Sequence, residues 1–149
     1  KPVLDAIGSE VVYCGPIGAG TVCKLCSNFM GLSVVALLGE AFCLGVKAGV
    51  SPETLFEAIS KSSGNTTVMP ALPPGLFKGK FDPGFMLDLA LKDLNLAMDM
   101  GREFEVPLEL GHLVTERFLE GRVRGWGRLS AVAMIRLQEE RSGVTVRSA

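Results

Sequence analysis

Lys24 and Asn28 are the residues of this sequence whose types and spacing most clearly suggest chemistry. Four residues apart on a helix, they project from one face, with one side chain a turn above the other. An ammonium group and a carboxamide would then share a small volume in a strongly apolar segment. Burying an ammonium group is costly unless it is paired, so this placement suggests proton transfer to or from an alcohol. Spacing alone still favours a simpler arrangement, in which Lys24 extends to solvent and Asn28 caps a neighbouring chain end.

Three further ionisable residues, Lys92, Asp93 and His112, are weaker candidates. Asp88 precedes Lys92 by four residues, which is the favoured orientation for an ion pair along a helix, so a solvated pair is predicted. Asp93 is predicted to be a solvated carboxylate and His112 a partly exposed histidine. Their types and spacing alone therefore predict no site.

Glycines at positions 15, 18 and 20 follow a short β-favouring run and precede a helix, as they do in loops that bind dinucleotide phosphates. That fingerprint requires the order G-x-G-x-x-G and an acidic residue about twenty positions later, at the end of a second strand. Here the order is G-x-x-G-x-G, and no second strand is predicted. The glycines are therefore interpreted as an interdomain hinge turn rather than a phosphate site.

Four cysteines lie at positions 14, 23, 26 and 43. Cys23 and Cys26 form a C-x-x-C pair, but a zinc site would need a second pair of ligands, and His112 is far along the chain. No metal site is predicted. The cysteines are interpreted as small buried apolar residues of a protein in a reducing compartment, the cytoplasm or, in a eukaryote, the mitochondrial matrix.

Composition narrows the possible partners. The 149 residues suffice for one domain with a substantial core, and 48% of them are hydrophobic. Fifteen basic and sixteen acidic residues give a net charge of −1, which provides no field for nucleic acid or an anionic membrane surface. The most apolar run, residues 25–39, is shorter than the about twenty residues that a membrane span needs, so it is predicted to be a core helix.

Hydrophobic periodicity predicts about five helices and no internal sheet, which makes the fold class all-α. The helices are expected at residues 21–48, 51–61, 85–105, 108–119 and 130–141. Proline and glycine interrupt residues 66–84, where turns or a broken helix are expected. The polar tail, residues 142–149, is predicted to be frayed.

The first of these helices is apolar nearly all round, which is typical of a central buried helix. It presents more apolar surface than a domain of this size can easily hide. We therefore expect self-association through the helices, giving a homo-oligomer.

Residues 11–14 favour a β-strand, after a segment that resembles the end of a helix. Because one strand cannot pair with itself, we expect it to belong to the sheet of an N-terminal domain outside this sequence. The first residue is not methionine, which likewise suggests a chain cut from a longer protein. Residues 1–15 are thus interpreted as the tail of that domain and a linker, and residues 16–149 as an all-α domain.

The pattern Gly15-x-x-Gly18-x-Gly20-x-x-x-Lys24-x-x-x-Asn28 is similar to the catalytic signature of the β-hydroxyacid dehydrogenases. The resemblance continues through Gly39-Glu40-Ala41, Pro83-Gly84-Phe85, Leu91-Lys92-Asp93-Leu94, Val106-Pro107-Leu108 and Ser130-Ala131-Val132. It implies the helical C-terminal domain of a 6-phosphogluconate dehydrogenase-like enzyme, preceded by a residual strand of a Rossmann domain. In that family the cofactor and the substrate lie in the cleft between the two domains.

The resemblance also implies roles for five residues. Lys24 would be the general acid or base on the substrate oxygen while hydride passes between a 3-hydroxyacid and NAD or NADP. Asn28 would hold the substrate or the lysine. Lys92 would reach the cofactor from the helical side, Phe85 would line the nicotinamide pocket, and Asp93 would orient the site. Without the other domain the chain is expected to be inactive.

Two positions help to separate members of the family. A 6-phosphogluconate dehydrogenase is expected to have histidine directly before the asparagine, where this chain has Ser27. Relatives usually have an acidic residue after the late glycine turn, whereas Arg128 and Leu129 follow Gly127 here. The alternative from a different class is a non-catalytic helical oligomerisation module in which Lys24 is exposed and inert.

Overall fold

Helices make up the regular structure of residues 2–148, the part of the chain that this computed structural model describes. The α-helices are α1 (Pro2–Asp5), α2 (Ala19–Lys47), α3 (Pro52–Ser60), α4 (Leu87–Glu103), α5 (Glu109–Val123) and α6 (Ile135–Ser142). Short 3₁₀ helices lie at Met69–Ala71, Leu76–Lys78 and Ala131–Met134. No strand forms within the described residues, and an isolated antiparallel bridge joins Met86 to Ser130. The all-α prediction is confirmed.

The long helix α2 is the central element and contacts α3, α4, α5 and α6. It begins after Gly18, whose φ of 96° lies in the left-handed region that favours glycine, and Gly49, with φ 92°, follows its end. One side of α2 enters the core through Leu25, Leu32, Val35, Leu38 and Phe42. The predicted bounds of this helix are therefore correct to within about two residues.

The prediction that α2 is buried all round is wrong for this chain. Met30, Leu37 and Leu44 recur every seven residues along one stripe and are 68%, 62% and 72% exposed. By length and composition α2 could cross a membrane, but the core helix of a soluble protein passes the same test, and 33% of its most apolar window is buried. The stripe remains uncovered by the described part of the chain.

Helix α4 starts two residues later than predicted because a turn holds its first peptide groups. The backbone N–H groups of Leu87 and Asp88 donate to the carbonyl oxygens of Leu129 and Gly127, at 2.8 and 2.9 Å. These bonds satisfy donors that a helix start leaves without intrahelical partners. The turn after α5 thereby fixes where α4 begins.

Helix α5 continues to Val123, past the end predicted at residue 119, which lies two residues before Gly121. Gly121 serves helix packing instead, because a Cβ atom there would lie 2.9 Å from Leu87 Cδ1. A side chain at that position would therefore push α5 away from α4.

The C-terminal tail is packed rather than frayed over residues 142–148, so that prediction is wrong there; residue 149 lies outside the described residues. Val146 is fully buried, and its N–H donates to Glu139 Oε1 at 2.7 Å. Arg147 lies 2.6 Å from the same carboxylate, and the N–H of Ser148 donates to the carbonyl oxygen of Phe77 at 2.9 Å. A buried valine and a paired carboxylate together hold the tail against α6.

Residues 9–14 have no regular secondary structure, and their side chains are exposed. The strand predicted at residues 11–14 does not form, because a strand requires a partner and the described residues provide none. Residues 61–86 consist of turns and two of the 3₁₀ helices, as predicted. Met69, Leu72, Leu76 and Phe77 anchor this irregular segment in the core.

Candidate active site

Lys24 and Asn28, on the first turns of α2, both face Asp93 on α4. The ammonium group of Lys24 donates to Asp93 Oδ2, and Asn28 Nδ2 donates to the same oxygen at 2.6 Å. The two side chains therefore share one small volume around a carboxylate that is 65 residues from Asn28 in sequence. This contact joins the two longest helices of the bundle.

Asp93 is buried, with a side chain 3% exposed, so the expected solvated carboxylate is wrong. It lies three residues after Ala90 and four before Ala97, both of which are buried on the core stripe of α4. The helical repeat of buried residues on α4 includes position 93, and this repeat could have predicted that Asp93 is buried. A buried carboxylate is costly unless donors compensate it, and the facing lysine and asparagine provide them.

Lys92 pairs with Asp93 and not with Asp88. Its Nζ lies 2.9 Å from Asp93 Oδ1, although within residues 2–148 no hydrogen bond of good geometry reaches that oxygen. Asp88 instead lies 3.9 Å from Arg122 and against Gly127. The predicted pair between residues 88 and 92 is therefore wrong, and Lys92 adds a second positive charge beside the buried carboxylate.

The net effect of these contacts is to keep Asp93 ionised. Burial raises the pKa of this carboxyl group, but the hydrogen bonds from Lys24 and Asn28 and the nearby ammonium group of Lys92 outweigh burial and lower the pKa to about 2. At neutral pH the site thus contains a fixed negative charge. Lys24 is 49% exposed, and its ammonium group pairs with Asp93. It is therefore neither fully buried, as a desolvated proton-transfer lysine would be, nor simply extended into solvent, the arrangement that spacing alone favoured.

A cavity of about 330 Å³ opens beside Asn28. It is lined by Asn28, Gly31, Leu32 and Val35 of α2, by Val68 and Ala71, by Gly84 and Phe85, and by Ser130, Ala131 and Val132. Phe85, 39% exposed, is held there by a hydrogen bond from the N–H of Ala131 to its carbonyl oxygen, at 2.8 Å. Of the five residues suggested by the sequence, Asn28 and Phe85 line this cavity, whereas Lys24, Lys92 and Asp93 cluster next to Asn28. Residues 130–132, which also line the cavity, had been given no role.

Other candidates lie outside this cluster. Cys14, Cys23 and Cys26 are exposed, so the interpretation of the cysteines as buried residues holds only for Cys43. Within residues 2–148 no group of three or more histidine, cysteine or acidic residues could hold a metal ion. His112 is exposed on α5.

Comparison with known proteins identifies the family of this chain. Residues 18–138 match a family described as NAD-binding of NADP-dependent 3-hydroxyisobutyrate dehydrogenase. The chain belongs to this 3-hydroxyisobutyrate dehydrogenase family. The resemblance to the β-hydroxyacid dehydrogenases, inferred from the ordered motifs, is confirmed.

Individual relatives agree with this family assignment. The chain is 41% identical to 2-(hydroxymethyl)glutarate dehydrogenase of Eubacterium barkeri, covering 98% of this chain and 49% of that protein. It is 31% identical to 3-sulfolactaldehyde reductase of Escherichia coli strain K12, with the same two shares covered. A crystal structure of 3-hydroxyisobutyrate dehydrogenase from Salmonella typhimurium superposes with a TM-score of 0.85 and 26% identity over 91% of this chain and 48% of that one. The chain spans about half the length of these relatives and matches their C-terminal part.

The surface of the cleft fits the nicotinamide dinucleotide that the 3-hydroxyisobutyrate dehydrogenase family binds. Lys92 is 57% exposed and provides positive charge for an anionic dinucleotide. The exposed Phe85 ring provides a flat apolar face of the kind that packs against a nicotinamide ring.

Proposed function

We propose that this chain is the helical half of an NAD(P)-dependent dehydrogenase that interconverts a 3-hydroxyacid and its semialdehyde or oxo acid. The observation that supports it is the cluster of Lys24, Asn28 and buried Asp93 beside a cavity. In this proposal residues 1–15 are the end of a nucleotide-binding domain and a linker, and residues 16–149 form the catalytic and oligomerisation domain.

Lys24 is the proton-transfer group in this proposal. In the reducing direction its Nζ donates a proton to the carbonyl oxygen of the substrate, and in the oxidising direction it takes the proton of the hydroxyl group. Asp93, which remains ionised, orients the lysine side chain toward the cleft. One N–H of the Asn28 amide donates to Asp93, which leaves the second N–H to donate a hydrogen bond to the same substrate oxygen that exchanges a proton with Lys24.

In this proposal the chain provides one wall of the cofactor site. NAD or NADP, when bound, accepts or supplies the hydride. Lys92 contacts it from the helical side and Phe85 lines the nicotinamide pocket. The remainder of its site is assigned to the nucleotide-binding domain, so the isolated chain is expected not to turn over substrate.

The names of the relatives support the substrate class in this proposal. The names of the relatives describe small acids that have an alcohol or an aldehyde, and they differ in the remaining substituent: 2-(hydroxymethyl)glutarate, 3-sulfolactaldehyde and 3-hydroxyisobutyrate. A cleft with a lysine and an asparagine at one end and a cavity beside them suits such acids. We assign a small 3-hydroxyacid to this chain.

The direct experiment uses a two-domain enzyme, in which a nucleotide-binding half precedes this chain. That half is encoded by the native upstream sequence or taken from the Eubacterium barkeri relative. Reduction of NAD and NADP is followed with a panel of 3-hydroxyacids, and the 149-residue chain serves as the control. Turnover by the two-domain enzyme alone is expected. Absence of turnover with every acid and both cofactors would contradict the proposal.

A second candidate function is that of an oligomerisation module. It is favoured by the exposed stripe of Met30, Leu37 and Leu44 along α2, since an uncovered apolar surface of this kind marks an interaction site. We propose that this stripe contacts a second copy of the chain in a homo-oligomer. The catalytic proposal differs from a purely structural one in requiring Lys24 for turnover.

A further inference from the structure

The cavity beside Asn28 extends one helical turn beyond the residues assigned to proton transfer. Lys24, Asn28 and Gly31 lie at positions i, i+4 and i+7 of α2 and therefore share one face. The first two contact Asp93, and Gly31 lines the cavity. A substrate whose oxygen lies at Lys24 and Asn28 would therefore have its neighbouring carbon substituent close to Gly31.

Gly31 differs from the other glycines in the interior of α2. A Cβ atom at Gly39 would lie 3.1 Å from Ile135 Cγ1, and one at Gly45 would lie 2.5 Å from Leu55 Cδ1, so close packing explains both. A Cβ atom at Gly31 would meet no packed neighbour within 4 Å. Glycine in a helix interior is destabilising relative to alanine, and packing of the described residues provides no compensation for it here. Because Gly31 has no side chain, the cavity has more open space at this position.

The chemistry of the cavity wall indicates what could fill that space. Its members are mostly aliphatic, among them Leu32, Val35, Val68 and Val132. The polar side chains that line it are those of Asn28 and Ser130, and no ionisable side chain of the described residues is among the lining residues. Such a wall favours an uncharged, carbon-rich group, because a charged group would lose hydration without gaining a partner.

We propose that this cavity holds an uncharged alkyl substituent on carbon 2 of the 3-hydroxyacid, and that Gly31 determines how large the substituent can be. The inference rests on the proposed function and adds specificity to it. The cavity measures about 330 Å³. Since a water molecule takes up about 30 Å³, there is room for a group of several carbon atoms.

The first test is a binding measurement on this chain itself. Backbone amide NMR spectra are recorded with 3-hydroxypropionate and with its 2-methyl, 2-ethyl and 2-propyl derivatives. The amides of the cavity residues are expected to shift, and Kd is expected to fall about three- to fourfold for each added carbon. The 2-propyl acid is expected to bind more tightly than 2-(hydroxymethyl)glutarate, whose side arm is charged.

Two variants make this test specific. Gly31→Val should strongly reduce the dependence of Kd on alkyl length, because its side chain takes up the part of the cavity nearest to the substituent. Val123→Ala is the control, since Val123 is 79% exposed at the end of α5 and does not line the cavity. Three results would each overturn the inference: no shift at the cavity amides, tighter binding of the charged acid, or unchanged binding by Gly31→Val.

The second test uses the two-domain enzyme and separates this inference from the proposed function. Gly31→Val should raise KM for the 2-propyl acid by about tenfold or more, the loss of two or more buried carbons, while KM for 3-hydroxypropionate stays within about twofold. A change in cofactor Kd instead would assign the cavity to the nicotinamide and overturn the inference. An enzyme that turns over these acids without regard to alkyl length would contradict only the inference, whereas an enzyme inactive with all of them would contradict the function.

Discussion

At the scale of single residues, the site depends on a contact that local sequence patterns do not contain. The spacing of Lys24 and Asn28 placed them on one helix face, because the period of a helix is a local property. Their common partner, Asp93, is 69 residues from Lys24, and only folding brings α2 and α4 together. The burial of Asp93 could have been inferred from the helical repeat of buried residues on α4, but its hydrogen-bond partners could not.

Asp93→Asn tests how strongly this contact stabilises the fold. The pKa of Asp93, about 2 in the folded chain, lies below its ordinary value near 4 because two donors, Lys24 and Asn28, and the ammonium group of Lys92 outweigh its burial. A carboxyl group whose pKa is lower in the folded than in the unfolded state stabilises the fold at pH values above its unfolded-state pKa. That stabilisation is lost as the pH falls through the folded-state pKa. Wild type should therefore exceed Asp93→Asn in unfolding free energy by about 2 kcal/mol at pH 7, and the difference should vanish toward pH 2.

The measurement is denaturant unfolding at several pH values between 2 and 7. Asp99→Asn is the matched control, because Asp99 lies on the same helix in a pair with Arg102 whose members are both 62% exposed. Such a pair contributes less than about 1 kcal/mol. A difference between wild type and Asp93→Asn that is independent of pH would refute the role of the ionised carboxylate.

Lys92→Ala tests the assigned contact with the cofactor. Loss of one exposed positive charge should weaken cofactor binding by the two-domain enzyme about tenfold, or ~1.4 kcal/mol, with kcat largely retained. Cofactor Kd is measured by fluorescence titration. Lys61→Ala removes a lysine paired only with exposed Glu57 and is the control. Equal Kd values for wild type and Lys92→Ala would remove Lys92 from the site.

At the scale of secondary structure, the sequence predicted which segments are helical better than where they end. Apolar periodicity located α2 and α4, because both have long core stripes. The end of α5 was misplaced because Gly121 is required by packing against Leu87 and not by a turn. The tail after α6 was misjudged because its structure depends on tertiary contacts: Val146 is buried in the core, and the N–H of Ser148 donates to the carbonyl oxygen of Phe77.

Val146→Ala tests whether the tail is part of the fold. Val146 is fully buried, so its truncation should lower the unfolding free energy by about 2 kcal/mol. Val123→Ala is the control, since Val123 is 79% exposed and its truncation should change stability by less than about 0.5 kcal/mol. Both are compared by thermal and denaturant unfolding. If the two variants were equally stable, the tail would not be packed in solution.

At the scale of the whole molecule, the chain presents surfaces that its own residues do not cover. A groove of about 260 Å³ between α2 and α5 is lined by Leu37, Leu110 and Leu113, with Glu40 and Arg117 also in its lining. Acidic and basic groups in one groove allow two copies related by a two-fold axis to pair them reciprocally. The sequence indicated an excess of apolar surface, but its location depends on which faces the other helices cover.

Self-association through this groove can be measured by sedimentation velocity. Wild type should sediment as a dimer or a larger species, and the double variant Leu37→Glu and Leu113→Glu should sediment as a monomer with unchanged helical circular dichroism. Leu96→Glu, on α4, places the same charge at a residue that is 44% exposed and should leave association unchanged. A monomeric wild type at micromolar concentration would refute this interface.

The central claim is that Lys24 transfers the proton, and turnover by Lys24→Ala in the two-domain enzyme tests it most directly. Loss of a general acid or base should lower kcat by at least about a hundredfold, while the cofactor Kd stays within about twofold. Lys61→Ala, which removes a lysine outside the cleft, should retain the wild-type rate. A Lys24→Ala enzyme that keeps most of its kcat would contradict the assignment and leave the helical domain with a structural role.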